Sequence, residues 1–198
     1  ARKFTDKSGE WEVMDLAAYG LVQEDAPVTT AEARQAYLNT VIGKLAAADV
    51  NTATAAKSVI ILKALGVDPQ KLTTADGKAL DAVAILKNLP ASQDVYTAPY
   101  ELLAFLQGDY GFSADRIAGL VRVLQENQSE TGTYGYTYNG TYFDDLDTTA
   151  AVIAGLAPYA QMQEDSFGVK ADAQAVIDKA VNALSAKQGS DGSLNQNP

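Results

Sequence analysis

The sequence predicts an all-α fold built from helical hairpins, and three observations carry that expectation. Helical periodicity dominates the chain from Glu10 to Lys187. The helical segments are of two alternating kinds, one apolar around its whole circumference and one with a single apolar stripe. The apolar kind starts near Glu10, Ala53, Thr97 and Asp147, a period of roughly 43 to 50 residues that matches stacked helical hairpins. A helix without a polar face must be covered on every side, whereas an open solenoid leaves one edge of each helix bare. The pattern therefore favours a closed double ring of inner and outer helices in four hairpins.

Taken in order, EWEVMDLAAY (Glu10 to Tyr19) counts as the first enclosed helix despite its charges, and Gly20 follows it. Ala33, Tyr37, Val41 and Leu45 mark the first amphipathic partner. TAAKSVIILKAL (Thr54 to Leu65) is the second enclosed helix, with Asn51 offering a cap oxygen and Gly66 a stop before the turn GVDPQ. Leu80, Val83, Ala84 and Lys87 outline a shorter amphipathic helix. The third enclosed helix is APYELLAFL (Ala98 to Leu106) behind Asp94, and Ile117, Leu120, Val121 and Leu124 form the stripe of its partner. Between the sixth and seventh helices, TGTYGYTYNGTYFDD alternates Tyr and Thr around Asn139-Gly140, predicting a two-stranded β-hairpin near residues 133–143. TTAAVIAGLAPYA (Thr148 to Ala160) is the fourth enclosed helix, started by Asp145 or Asp147 and containing the Ala157-Pro158 pair near its end. The last amphipathic helix runs from Ala171 to Lys187, with Ala173, Val176, Ile177, Ala180, Val181 and Leu184 on its stripe, and the tail GSDGSLNQNP reads as a turn opening into linker.

Composition narrows the functions. With 198 residues and 47% hydrophobic content, a single domain over residues 1–198 is expected. The formal net charge of -10 repels phosphate backbones and anionic headgroups, so nucleic acid is not an expected partner. No apolar run approaches the roughly 18 residues of a membrane span, and no charged-then-apolar leader opens the chain, so no membrane insertion is expected. Ala1 in first place suggests a trimmed or processed chain. The sequence contains neither cysteine nor histidine, which removes thiolate chemistry, the usual metal ligands and the usual neutral-pH general base. Any catalysis would rest on carboxylates, Tyr, Lys, Ser or Thr.

Two amphipathic helices end in one signature, QSETGTY (Gln128 to Tyr134) and QGSDGSL (Gln188 to Leu194). Together with DLDTTAAVIAGLAPY (Asp145 to Tyr159), these resemble the repeat of the prenyltransferase and squalene-cyclase α/α toroids. In that family the Gln ties adjacent helix ends, the Gly permits a tight turn, and the aromatic residue plugs the gap between outer helices. The order of segments from Trp11 to Leu194 looks like the toroid domain of surface and secreted proteins of Gram-positive bacteria, similar to the α-domain of transcobalamin and intrinsic factor. The resemblance implies an extracellular or cell-surface protein with a neighbouring β domain as a partner. It also implies up to six hairpins where four are read here, which leaves open an incomplete ring, an unusual closure or a shortened one.

The family's enzymes are testable by residue type. Protein prenyltransferases hold zinc with Asp, Cys and His, lanthionine cyclases need Cys and His, and thioester domains need Cys, so all three are excluded and no cofactor is expected. Class II terpene cyclases use a DXDD motif. Asp145-Leu146-Asp147-Thr148 aligns with it, placing Asp147 on the proton donor, but Thr148 replaces the final acid. The competing reading is an N-terminal helix cap, for which Asp147 followed by Thr148 and Thr149 is well suited. A glycosidase-like pair from Asp15 and Glu101 lacks any spacing signature, and ion pairs to Lys57 or Arg122 account for such acids more simply. The period of two places Tyr134, Tyr136 and Tyr138 on one face of the hairpin, with Tyr142 and Phe143 close by. Those rings either pack the sheet or form a binding platform beside Trp11, Tyr96 and Tyr100 at the mouth of the barrel. The favoured reading is a non-catalytic module that binds a small molecule, glycan or peptide there, or acts as a scaffold. The alternative is a terpene-cyclase-like enzyme using Asp147 with Asp145.

Overall fold

A computed structural model of the chain describes residues 4–21 and 29–194. The described residues form eight helices: α1 (Glu10–Ala18), α2 (Ala31–Leu45), α3 (Thr52–Ala64), α4 (Ala82–Asn88), α5 (Ala98–Phe105), α6 (Ala114–Glu126), α7 (Leu146–Ala160) and α8 (Lys170–Lys187). Two antiparallel hairpins accompany them, β1 (Leu72–Thr73) with β2 (Ala79–Leu80) and β3 (Tyr134–Tyr138) with β4 (Thr141–Asp145). The fold is all-α with two small β-hairpins.

Local chemistry sets the helix ends. Thr30, Asn51, Asp81, Ser113 and Asp145 each accept the backbone N–H three residues on, satisfying one of the amides that a helix start leaves unpaired. The ends of α1 and α3 follow one scheme. Gly20 and Gly66 adopt positive φ, and the next residue's N–H returns five residues to Leu16 and Leu62 respectively.

The chain divides into two compact units, Ala1–Pro90 with Gln107–Tyr110, and Ala91–Leu106 with Gly111–Pro198. In the first unit α3 is central, packing against α1, α2 and α4. Its residues Ala55, Ala56, Val59, Ile60, Ile61 and Leu62 are all buried, as a helix apolar on every side requires. In the second unit α5 packs against α6 and α7, and α8 packs against both α7 and α6. The α5–α7 crossing is close because Gly155 has no side chain: a Cβ there would lie 2.8 Å from the Pro99 Cα. The Tyr159 hydroxyl crosses the same interface and donates to the Leu102 carbonyl at 2.8 Å.

Two expectations about enclosed helices are corrected. Only Val13 of α1 is buried, while Trp11 and the following Tyr19 are 53% and 82% exposed. The charges of Glu10, Glu12 and Asp15 leave too few apolar positions for this helix to be covered all round. α7 is also not enclosed throughout, because Asp147, Ala150 and Ala154 form one exposed line along it. Alanine supplies little apolar area, so the helix tolerates solvent on that side. The β1–β2 hairpin is an element beyond the helices and the aromatic hairpin expected from the sequence, and Asp76-Gly77 forms its turn: Gly77 has φ 81° and the Thr74 hydroxyl receives the Lys78 N–H. Of the expected tail, residues 195–198 lie outside the described residues.

Candidate functional site: the aromatic hairpin and the aspartates at its base

The β3–β4 hairpin forms where expected. Asn139 and Gly140 both adopt positive φ, 49° and 77°, as a two-residue type I′ turn demands. The register pairs Tyr134 with Asp145, Tyr136 with Phe143 and Tyr138 with Thr141. Alternation then places Tyr134, Tyr136, Tyr138 and Phe143 on one face, with Tyr142 on the other. Gly135 permits the close pairing, since a Cβ there would run into the Phe143 carbonyl.

The three in-line tyrosines do not share one environment. Tyr134 is fully buried, its hydroxyl donating to the Leu124 carbonyl at 2.7 Å and its N–H to the Thr149 hydroxyl at 3.0 Å. Burial holds its phenol above the ordinary range. Tyr134 is thus a core residue rather than part of a contact surface: it anchors the hairpin where β3 meets α6 and α7. Farther out, Tyr136, Tyr138 and Phe143 are exposed, and the rings of Tyr136 and Phe143 stack at 5.7 Å between centroids with 20° between planes. Tyr142 is exposed on the opposite face.

The neighbouring aspartates have separate tasks. Asp144 pairs with Lys187 at 2.5 Å and accepts the Thr133 hydroxyl. Burial pushes its carboxyl up, but the Lys187 ammonium and the Thr133 hydroxyl prevail and hold it below the usual range. Asp145 is the N-cap of α7, accepting the Thr148 N–H at 3.0 Å and the Thr148 hydroxyl at 2.7 Å. The capping expectation holds for this helix, but the side chain that performs it is Asp145. Asp147 sits exposed in the first turn. We expect Asp145→Ala to lower stability by about 1–2 kcal/mol in urea unfolding, and Asp147→Asn to change it by less than about 1 kcal/mol.

The other candidates lie on separate elements. Trp11 lies on α1 in the first unit, Tyr96 precedes α5 and is 49% exposed, and Tyr100 is half-buried on α5. The Tyr96 N–H is bound by the Asp94 carboxylate, which organises the turn into α5. Glu101 is fully buried and pairs with Arg116, not with Lys57 or Arg122. Asp15 is exposed on α1. A depression of about 220 Å³ in the first unit is lined by residues including Glu10, Tyr37, Lys44 and Lys57. That volume falls below the roughly 300 Å³ of small drug-sized sites. Among the described residues no group of three or more acids is placed to hold a metal ion, and no helix is long and apolar enough to cross a membrane. Compared with protein-family models, curated proteins and solved structures, the chain matches none.

Proposed function

We propose that the chain is a non-catalytic binding or scaffold module of an exported or cell-surface protein, built as an α/α toroid, with the β3–β4 hairpin as its contact element. The alternation of buried α3 and α5 and the largely buried α7 with amphipathic α2, α6 and α8 supports the toroid, and the resemblance of the repeat turns supports the location. The observation that carries the binding role is the exposure of Tyr136, Tyr138 and Phe143 on one face of a hairpin whose base is pinned by buried Tyr134. A pinned base holds the rings in place before a ligand arrives, which lowers the ordering cost of binding. Flat apolar faces with phenolic rims suit sugar rings and proline-rich peptides.

The enzymatic reading draws no comparable support. Asp147 is exposed, Asp145 is engaged as a cap, and a proton donor to an alkene needs a dry setting. Tyr136→Ala with Phe143→Ala tests the binding role. Stability should change by about 1 kcal/mol or less, as for an exposed cross-strand pair. Affinity for chito-oligosaccharides or a proline-rich peptide, followed by tyrosine fluorescence, should fall about tenfold or more. Equal affinity of the variant and parent, or no binding by the parent, would remove the hairpin from the proposal.

A further inference from the structure

The second unit contains the same helix and turn twice, and among the described residues only the first of them is covered. Ile117, Val121, Leu124, Gln128, Gly132 and Tyr134 recur at one constant separation as Ile177, Val181, Leu184, Gln188, Gly192 and Leu194. The two turns are built alike. Ser129 and Gly189 donate their N–H to the carbonyls of Thr133 and Ser193 at 2.9 and 2.8 Å. Gly132 and Gly192 return theirs to Ser129 and Gly189 at 3.0 and 2.9 Å, and both glycines have positive φ. Gln128 and Gln188 donate from their side-chain amides to the carbonyls of Gly132 and Gly192, each at 2.9 Å.

They differ in what lies upon them. Ile117, Val121, Leu124 and Tyr134 are each 1% exposed or less, with α5 and α8 packed against α6. The Gln128 amide continues to the Val176 carbonyl of α8 at 2.9 Å, and the Lys179 ammonium reaches back to the Ser129 carbonyl at 2.8 Å. Gly132 lies so close that a Cβ would be 2.5 Å from the Lys179 carbonyl oxygen. In the second copy Val181 and Leu194 are 44% and 45% exposed, and Ile177 and Leu184 are half-buried. A Cβ on Gly192 would meet only the Gln188 amide, at 3.9 Å, and Gln188 binds no helix among the described residues. Ile177, Val181 and Leu184 stand one helical turn apart, so they form a single apolar line that ends at Gln188.

We propose that this face of α8, with the turn from Gln188 to Leu194, is a docking surface for a partner helical hairpin of the same repeat type, whose outer helix lies on α8 as α8 lies on α6. The α6–α8 interface defines the partner's chemistry. Its outer helix offers a backbone carbonyl to the free side of the Gln188 amide and passes close over Gly192. One turn from that carbonyl it carries a Lys or Arg over the Gly189 carbonyl, in the place of Lys179. The inference is independent of any ligand at the aromatic hairpin.

The absence of cysteine makes a single introduced thiol a clean reporter. Val181→Cys is made in the full chain and in an extended chain carrying a second copy of residues 135–194 between Leu194 and Asn195, so that the added hairpin follows the second turn in the register of the first. The thiol should label freely in the parent and about tenfold or more slowly in the extended chain, because labelling of a covered site requires local opening. The extended chain should also gain helical circular dichroism. Equal labelling rates overturn the proposal. An added segment that stays unfolded overturns it as well, since the same residues fold against α6. A parent chain that dimerises in sedimentation and protects the thiol in proportion to concentration would make a second copy the occupant and overturn the assignment to a separate hairpin.

Discussion

Arg116→Met should lower the stability of the protein by about 3–5 kcal/mol in urea unfolding, the loss typical of breaking a buried ion pair from one side. Glu101 is fully buried on α5, its Oε1 accepts the Arg116 Nε–H at 2.6 Å, and the Arg116 Nη2 lies 2.5 Å away as the other contact of the ion pair. Among the described residues its Oε2 accepts only the Ser92 N–H, at 3.0 Å. With the guanidinium gone, a carboxylate would remain in the core with that one amide for company. The methionine retains apolar contact with Phe105, whose ring centroid lies 5.6 Å from the guanidinium carbon, so the loss reports charge more than packing. The double variant Glu101→Leu with Arg116→Met removes both charges and should recover most of the loss, since a buried pair and a well-packed apolar pair often have similar net stability. A double variant no more stable than Arg116→Met would show that the pair contributes something other than mutual neutralisation. The result also bears on the fold, because an acid held this way on α5 is a structural tie between α5 and α6.

That tie shows where sequence reasoning reaches its limit. Periodicity located all the longer helices because burial imposes a repeat on the letters, as in Ile117, Leu120, Val121 and Leu124, every one of them buried in α6. Asn139-Gly140 located the aromatic hairpin because few residue pairs tolerate two successive positive φ values. Glu101 and Arg116 carry no such mark. Their contact depends on how α5 folds back on α6, and neither an i+3 nor an i+4 spacing announces it. The same holds for Lys187, which reaches Asp144 across the fold from the end of α8. α1 failed for the opposite reason: its position in the alternation implied a covering that its own acidic residues do not support. Equal spacing of Tyr134, Tyr136 and Tyr138 likewise conveys their common face but not how far each stands from the core.

Tyr134→Ala is the variant that separates anchor from platform. We expect a loss of about 3–5 kcal/mol, because truncating a fully buried aromatic side chain removes its burial and leaves a cavity. Tyr134→Phe keeps the ring but leaves the buried Leu124 carbonyl without the hydroxyl that meets it at 2.7 Å, for a loss of about 1–2 kcal/mol. Tyr138→Ala, at 65% exposure, should change stability by no more than about 0.5 kcal/mol. Urea unfolding of the three variants gives the ranking directly. The Tyr134 N–H to Thr149 bond places the start of β3 on α7, so the alanine variant should also loosen the hairpin before global unfolding, seen as faster amide exchange at the paired residues Tyr136 and Phe143. A ring platform resting on a loosened base pays more entropy to engage a ligand, so affinity falls even though Tyr134 itself touches nothing outside the protein. If Tyr134→Ala unfolded no more easily than Tyr138→Ala, the base of the hairpin would not be pinned, and the pre-arranged rings on which the binding role rests would lose their physical cause.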